Sequence, residues 1–132
     1  MANIDYLVKD MYQVLSKGVD ITDDQADLFG KRMADLIRLR LSPNKERGPR
    51  LRMSSFGTSC DKALWYKSNK PELAEPLEPW VLFKFLYGDV IEELTLFIAE
   101  LTEHRVEGRQ TELDVQGIKG HRDAVIDGVT VD

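Results

Sequence analysis

Two short turns near the carboxyl end of the sequence constrain its fold more than any other feature. Gln116-Gly117 and Asp127-Gly128 each separate two runs with the character of β-strands. A two-residue loop that ends in glycine is typical of a tight β-hairpin, because such turns need positive φ angles. The sequence therefore predicts strand, turn, strand, turn and a last short strand from residue 105 onward.

The turns also determine which residues face each other. If each loop holds two residues, Gln110 lies opposite Asp123, which in turn lies opposite Asp132. Directly opposed residues share one face of a sheet, with Cβ atoms about 4.5–5.5 Å apart. We therefore expect a row of these three side chains beside a pair formed by Glu112 and His121, unless a one-residue bulge shifts the register. The other face carries four apolar residues suited to a core, Ala124, Ile126, Val129 and Val131.

The two opposed aspartates need an explanation, because like charges directly across a ladder destabilise a sheet. Either one of Asp123 and Asp132 keeps a proton, or a divalent cation bridges both, or the row lies at an exposed edge where water screens the charges. The helix before the strands offers a third carboxylate, from Glu92 or Glu93. A helical wheel places Glu93 beside the apolar stripe and Glu92 well away from it. Wheel geometry therefore does not select Glu92, and on this evidence alone both glutamates are read as solvated.

The first part of the chain is predicted to be helical. Apolar spacing indicates an amphipathic helix over 5–17. Thr22 with Gln25 matches the capping box of a second helix, which Pro43 ends. Residues 43–50 read as a basic linker with two prolines and a glycine.

The middle of the chain is predicted to contain two further helices. Ser59 is placed to cap a short helix that carries Ala63, Leu64 and Tyr66. Residues 71–79 hold three prolines and read as a loop. The second half of 80–101 is strongly helical, with four apolar residues on one side, at Ile91, Leu94, Ile98 and Leu101.

Together these elements predict an α+β fold, α/β in the wider sense, with a helical segment at 1–50 and a core at 51–132. Residues 31–70 carry eleven basic and three acidic side chains, whereas 71–132 carry five basic and fourteen acidic ones. A basic middle suits a polyanion and an acidic end suits cations, although each also fits a solvated face. There is no apolar run long enough for a membrane span, no secretion signal at the start and a single cysteine. We therefore expect a soluble cytoplasmic protein.

Four stretches occur in an order and spacing that resemble the PD-(D/E)XK nuclease superfamily, above all its RecB-like and phage exonuclease branches. The first is RMSSFG at 52–57, followed by CDKALWY at 60–66. The others are GDVIE at 88–92, GHRD at 120–123 and GVTVD at 128–132. The resemblance covers residues 51–132 and depends on the motifs taken together, since no single one is specific.

The resemblance implies a set of site residues. Glu92, Asp123 and Asp132 would be metal-binding carboxylates, which selects Glu92 over Glu93. Gln110 would position a metal-bound water or the scissile phosphate. The implied cofactor is Mg²⁺, for which Mn²⁺ can substitute. The basic block would contact DNA phosphates without reading sequence, and its implied DNA-binding residues are Arg52, Ser54, Ser55, Lys62, Tyr66 and Lys67.

The implied activity is that of a metal-dependent DNA exonuclease of phage type, used in recombination or host-DNA breakdown, with an endonuclease as the family's other option. The family continues with a lysine two positions after the residue that Asp132 matches, and the hairpin register places that position opposite His121. We therefore expect a carboxyl-terminal complement to supply the lysine and this chain alone to be weak or inactive. An open sheet edge further predicts self-association or a completing partner polypeptide.

Four single residues carry further expectations. Some RecB-like relatives hold an iron–sulfur cluster, which Cys60 alone cannot form, so no cluster is expected and a buried thiol is favoured. His104 is expected to interact with a helix dipole and no more. Trp65 is expected to pack in the core rather than stack on DNA. His121 suits contact with metal or DNA and a structural role equally.

Two other classes of function remain open from the sequence. One is a non-catalytic DNA-binding or partner-binding subunit that retains a decayed nuclease fold. The other is an unrelated small α+β interaction protein whose acidic residues are solvated. The three carboxylates argue against decay, and the missing lysine argues for it.

Overall fold

The computed structural model describes residues 3–43 and 52–132, and the predicted linker over 43–50 lies outside them except for Pro43. The helices are α1 (Leu7–Lys17), α2 (Asp23–Leu41), α3 (Asp61–Asn69) and α4 (Pro79–Glu100). The strands are β1 (Val106–Glu107), β2 (Thr111–Val115), β3 (Ile118–Arg122), β4 (Ala124–Ile126) and β5 (Val129–Val131). Helices followed by antiparallel strands confirm the α+β class. Within the described residues, no helix is both long enough and apolar enough to cross a membrane.

The first two helices follow the sequence pattern closely. A 3-10 turn at Ile4–Tyr6 leads into α1. The capping box of α2 is formed, because the Thr22 hydroxyl accepts from the Gln25 backbone at 3.3 Å and the Gln25 side chain accepts from the Thr22 backbone at 2.9 Å. These bonds satisfy two amide groups that the first turn of a helix leaves unpaired.

The middle of the chain departs from two predictions. Helix α3 begins at Asp61 with Cys60 at its N-cap and no side-chain cap, so the prediction that Ser59 caps it is wrong. The expected loop over 71–79 contains a 3-10 turn at Pro71–Leu73. Helix α4 begins at Pro79, where the missing amide hydrogen of proline costs nothing, and its first half is as helical as its second.

The strands form two small sheets in which the predicted hairpin registers are confirmed. Strands β2 and β3 pair from Val115 opposite Ile118 through to Thr111 opposite Arg122. Strands β4 and β5 likewise pair antiparallel, from Ile126 opposite Val129 to Ala124 opposite Val131. Both loops carry positive φ at the non-glycine residue and at the glycine after it, namely Gln116, Gly117, Asp127 and Gly128. Turns of this kind match the twist of the strands that they join.

A bulge divides what the sequence suggests is one continuous sheet. Strand β1 pairs with β4, and Glu107 lies opposite Val125. The next ladder pair is Thr111 opposite Arg122. Between these two pairs, residues 108–110 on one side face only residues 123 and 124 on the other. The extra residue adopts left-handed backbone at Gly108, where a Cβ would lie 2.9 Å from the Arg122 guanidinium. The sheet order β1-β4-β5 is therefore separate from the β2-β3 hairpin.

The core lies where the second half of α4 packs on β4. Four buried residues form it, Leu96, Ala99, Ala124 and Ile126. Side chains that pack against them from α1 and the strands include Leu7, Met11, Val106 and Val131. Phe97 stacks on Phe29 of α2, with ring centroids 4.5 Å apart. Apolar contact across three elements thus fixes the position of α4 relative to the strands.

Two expectations about the core need correction. The predicted apolar side of α4 is not its packed face, because Ile91 and Leu94 are 42% and 40% exposed. The helix instead turns Leu96 and Ala99 inward, which the periodicity could not reveal in a helix that is apolar on several sides. On the sheet, the predicted apolar face is buried at Ala124 and Ile126, whereas Val129 beside the turn is 46% exposed.

Candidate metal centre

The bulge determines where Gln110 points. Its backbone has a φ of 48°, in the left-handed region that few non-glycine residues adopt. The backbone N–H of Gln110 nonetheless donates to the backbone carbonyl of Asp123 at 2.9 Å, so the two residues are opposed as the hairpin register predicts. Asp123 itself lies at the break between β3 and β4. The bulge and the strand break therefore bring these two residues together.

Three of the predicted site residues meet at this point. The Gln110 side-chain amide donates to a carboxylate oxygen of Glu92, and its nitrogen lies 3.5 Å from Asp123 Oδ1. Glu92 reaches the pair from α4, which the core holds against the strands. One neutral amide thus stands between two carboxylates from separate elements.

The structure distinguishes Glu92 from Glu93, which the helical wheel could not. Arg109 Nη1 donates to both carboxylate oxygens of Glu93 at 2.9 Å, and Arg32 approaches the same carboxylate at 3.9 Å. Glu93 is therefore neutralised by cations from two elements. Glu92 faces Gln110 instead, so the resemblance and the geometry favour the same glutamate.

Glu92 lies in an environment that opposes its ionisation. Partial burial raises the pKa of its carboxyl, the hydrogen bond from Gln110 lowers it, and the charges of Asp123, Asp89 and Glu93 raise it again. The net result is a pKa above the ordinary value of 4.5. Burial disfavours the charged form most, and the neighbouring carboxylates add to that effect because each disfavours ionisation of the next.

Asp132 belongs to the same face, but within the described residues no hydrogen bond or ion pair joins it to Glu92, Gln110 or Asp123. The register of β4 and β5, continued by one residue, keeps it opposite Asp123. Asp132 lines a cleft of about 590 Å³ beside β3. In the parts of the chain that the structure describes, no three carboxylate, imidazole or thiolate groups are arranged to hold one metal ion. The role of Asp132 as a third ligand stays a prediction.

The predicted DNA-binding residues divide between two places. Arg52 and Ser54 line the cleft beside β3, together with His121 and Asp132. Ser55 is buried, and its hydroxyl accepts a 3.4 Å hydrogen bond from Lys67. Lys62 and Tyr66 are exposed on α3.

Trp65 and Cys60 differ from their predictions. Trp65 does not pack in the core: it is 53% exposed and meets Tyr66 edge to face, with centroids 5.2 Å apart. Cys60 is exposed rather than buried. The reason is the same in both cases, because α3 contributes no fully buried residue. His121 is half exposed and lies 3.6 Å from Glu112 across the hairpin, as the register predicts.

His104 has a role that the sequence did not reveal. Its side chain is fully buried, with Nδ1 2.5 Å from Asp127 and Nε2 3.2 Å from Asp10. Burial lowers the pKa of His104, but the hydrogen bonds and charges of Asp127 and Asp10 outweigh it, so the pKa lies above 6.5. The expectation of a simple dipole contact is wrong. Asp10 is 94 positions away, and no local pattern signals a partner at that distance.

Comparison of the chain with protein-family models, with curated proteins and with solved structures finds no match. Interpretation of the site therefore rests on its own geometry and on the motifs in the sequence.

Proposed function

We propose that this chain carries the metal-binding part of a PD-(D/E)XK-type nuclease that hydrolyses DNA phosphodiesters. Within that class, an exonuclease of phage type is favoured over an endonuclease. The observation that supports it most is the meeting of Glu92, Gln110 and Asp123, which α4, the bulge and the strand break bring to one point. These residues are far apart in sequence and match motifs of one family in order.

The donor set fits a hard divalent cation. Mg²⁺ commonly takes one or two carboxylates and keeps several waters, and two carboxylates with an amide provide such ligands. The Gln110 side-chain nitrogen faces both carboxylates. A half-turn of the amide would present its oxygen instead. Bound Mg²⁺ or Mn²⁺ would supply a water of lowered pKa and offset charge on the phosphate.

The chain's own residues also suit a polyanionic substrate. Arg52 and Ser54 line the cleft next to Asp132, and α3 presents Lys62 and Tyr66 to solvent. Such groups make phosphate contacts that position DNA without reading its sequence. Buried Ser55 contributes by fixing Lys67 through its hydroxyl. A cytoplasmic location, in a bacterial host if the gene is phage-borne, belongs to the same proposal.

In the family that the motifs resemble, a lysine completes the site. The family places it two positions beyond the residue matched by Asp132, opposite His121 in the hairpin register. A polypeptide limited to these 132 residues is therefore expected to bind metal and to degrade DNA weakly or not at all. Adding the complementing segment is expected to restore Mg²⁺-dependent cleavage of linear DNA.

Calorimetric titration with Mn²⁺ tests the metal centre. We expect the parent chain to bind, and Glu92→Gln or Asp123→Asn to weaken binding about tenfold or more, since each removes a ligand charge. Asp27→Asn, which removes an exposed carboxylate on α2, is the matched control and is expected to bind as the parent does. Absence of binding by a folded parent would leave the acidic residues as solvated surface and contradict the proposal.

A second candidate function, binding a partner polypeptide without catalysis, is favoured by the exposed aromatic side chains of α4. The partner surface centres on aromatic residues in the first half of α4, namely Trp80, Phe83, Phe85 and Tyr87. A monodisperse monomer by light scattering at high concentration would exclude a second copy as that partner.

A further inference from the structure

Arg109 joins the bulge to α4 immediately beside the candidate metal centre. Its side chain is largely buried, and Nη1 forks onto both oxygens of Glu93 at 2.9 Å. The other terminal nitrogen, Nη2, lies 2.7 Å from Glu100, two turns further along α4. One guanidinium thus holds two carboxylates on the same helix face.

Two adjacent residues of the bulge are therefore bonded to two adjacent residues of α4. Glu93 binds Arg109, and Glu92 binds Gln110. Gln110 has left-handed backbone, a conformation that is unfavourable for a residue with a side chain and persists only where its surroundings hold it. The ion pair of Arg109 with Glu93 is formed by the residue directly before Gln110 in the sequence.

We propose that Arg109 is the positioning residue of the candidate metal centre: its fork onto Glu93 and Glu100 holds Gln110 between Glu92 and Asp123. The effect of Arg109 on metal binding rests on the proposed function, whereas the role of Arg109 in positioning Gln110 does not. Arg109 touches none of the carboxylates assigned to the metal. It acts through the adjacent backbone and by neutralising Glu93, which leaves Glu92 free to face Gln110.

The geometry calls for arginine rather than any cation. Nη1 alone donates to both oxygens of Glu93, and Nη2 lies 2.7 Å from Glu100, so the guanidinium reaches two carboxylates through two separate nitrogens. A lysine ammonium supplies the charge at one nitrogen only and cannot span both carboxylates in this way. Arg109→Lys should therefore retain the fold and lose part of the positioning, whereas Arg109→Met loses both charge and fork.

The test uses the side-chain amide signals of Gln110 in a ¹⁵N correlation spectrum, together with Mn²⁺ affinity. Gln110→Ala identifies the signals. We expect Arg109→Met to move them to the position of a solvated glutamine and to speed their exchange with water, and to weaken Mn²⁺ binding about tenfold. Arg109→Lys is expected to fall between Arg109→Met and the parent.

Arg32→Met is the matched control. Arg32 contacts the same two glutamates from α2, at 2.9 Å from Glu100 and 3.9 Å from Glu93, but is not connected to the bulge. It should leave the Gln110 signals in place and change Mn²⁺ affinity by less than about twofold. Equal effects of Arg32→Met and Arg109→Met would reduce Arg109 to a general stabilising ion pair and overturn the proposal.

The remaining outcomes separate this proposal from the proposed function. If the parent does not bind Mn²⁺ but Arg109→Met still moves the Gln110 signals, the positioning role holds and the metal centre fails. If the parent binds Mn²⁺ and folded Arg109→Lys leaves both signals and affinity unchanged, the metal centre holds and the positioning role fails. Because Arg109→Lys keeps the charge, it answers the question even where Arg109→Met unfolds.

Discussion

The two halves of α4 are similarly apolar in sequence but lie in opposite environments. The second half turns Leu96, Phe97 and Ala99 into the interior. The first half leaves Phe83 69% exposed and likewise exposes Trp80 and Tyr87. Apolar content alone thus does not locate the core. What distinguishes the halves is the presence of neighbours, since α1, α2 and the strands all pack near the carboxyl end of the helix.

The candidate metal centre lies at the boundary between these halves. Glu92 and Glu93 follow the exposed aromatic residues and precede the core residues by one turn. The ion pair of Asp89 with Arg40 and that of Glu93 with Arg109 mark the same boundary. The packed half of α4 therefore holds the site against the strands, while the half before the site is exposed.

Truncating the buried phenylalanine of α4 should have the largest effect. Phe97 is buried and stacks on Phe29 at 4.5 Å, so Phe97→Ala removes a ring from the core and leaves a cavity. We expect the free energy of unfolding to fall by about 3–5 kcal/mol, measured by urea denaturation. A loss below about 1 kcal/mol would show that the second half of α4 is not anchored as described.

The next effect concerns His104, which ties α1 to the turn after β4. Replacing it by asparagine leaves Asp10 and Asp127 facing each other without a cation. We expect the Tm to fall by about 5 °C at pH 7. Asn69→Ala on α3, away from this packing, should leave the Tm within about 1 °C. Equal Tm values for parent and His104→Asn would contradict the buried ion pair.

The same residue predicts the pH dependence of stability. Because the folded-state pKa of His104 is raised, its stabilisation is complete below the unfolded value near 6.5 and is lost as pH rises through the folded value. The pKa of Asp127 is lowered, mainly by the bond to His104, so its contribution is lost as pH falls through that lowered value. Stability should therefore decline as pH rises above about 6.5 and through the folded-state pKa of His104 in the parent, and not in His104→Asn.

Local patterns predicted the parts of the fold that depend on neighbouring residues. The capping box at Thr22 and both hairpin registers are confirmed because each depends on contacts within a few positions. The packed face of α4 could not be deduced from its apolar side, since it depends on which elements pack against the helix from elsewhere in the chain. The same applies to His104, whose partners come from α1 and from a turn.

The site was predictable only in part, for a related reason. Register arithmetic placed Gln110 opposite Asp123, and the backbone bond between them confirms it. It could not foresee the bulge, which depends on left-handed backbone at Gly108 and Gln110. Nor could it identify Arg109, which looks like an ordinary polar strand residue until its fork onto α4 is seen.

A smaller effect is expected from the ion pair between α2 and α4. Arg32 Nη1 lies 2.9 Å from Glu100 in a partly exposed setting. Arg32→Met should lower the free energy of unfolding by about 0.5–1 kcal/mol, and the loss should shrink as salt screens the pair in the parent. Denaturation at low and high ionic strength measures both quantities. A loss that is independent of salt would assign the effect to the apolar stem of the side chain.

The smallest effect on stability should come from the exposed phenylalanine on the same helix. Phe83→Ala removes a phenyl ring, as Phe97→Ala does, but the Phe83 side chain is 69% exposed. In dilute solution the free energy of unfolding should change by less than about 0.5 kcal/mol, because little area returns to water. If a partner polypeptide covers this face, the same variant should weaken that complex by about 2 kcal/mol, as a buried aromatic anchor would. A large loss in the isolated chain would instead mean that both halves of α4 are packed within one molecule, which would remove the contrast between them.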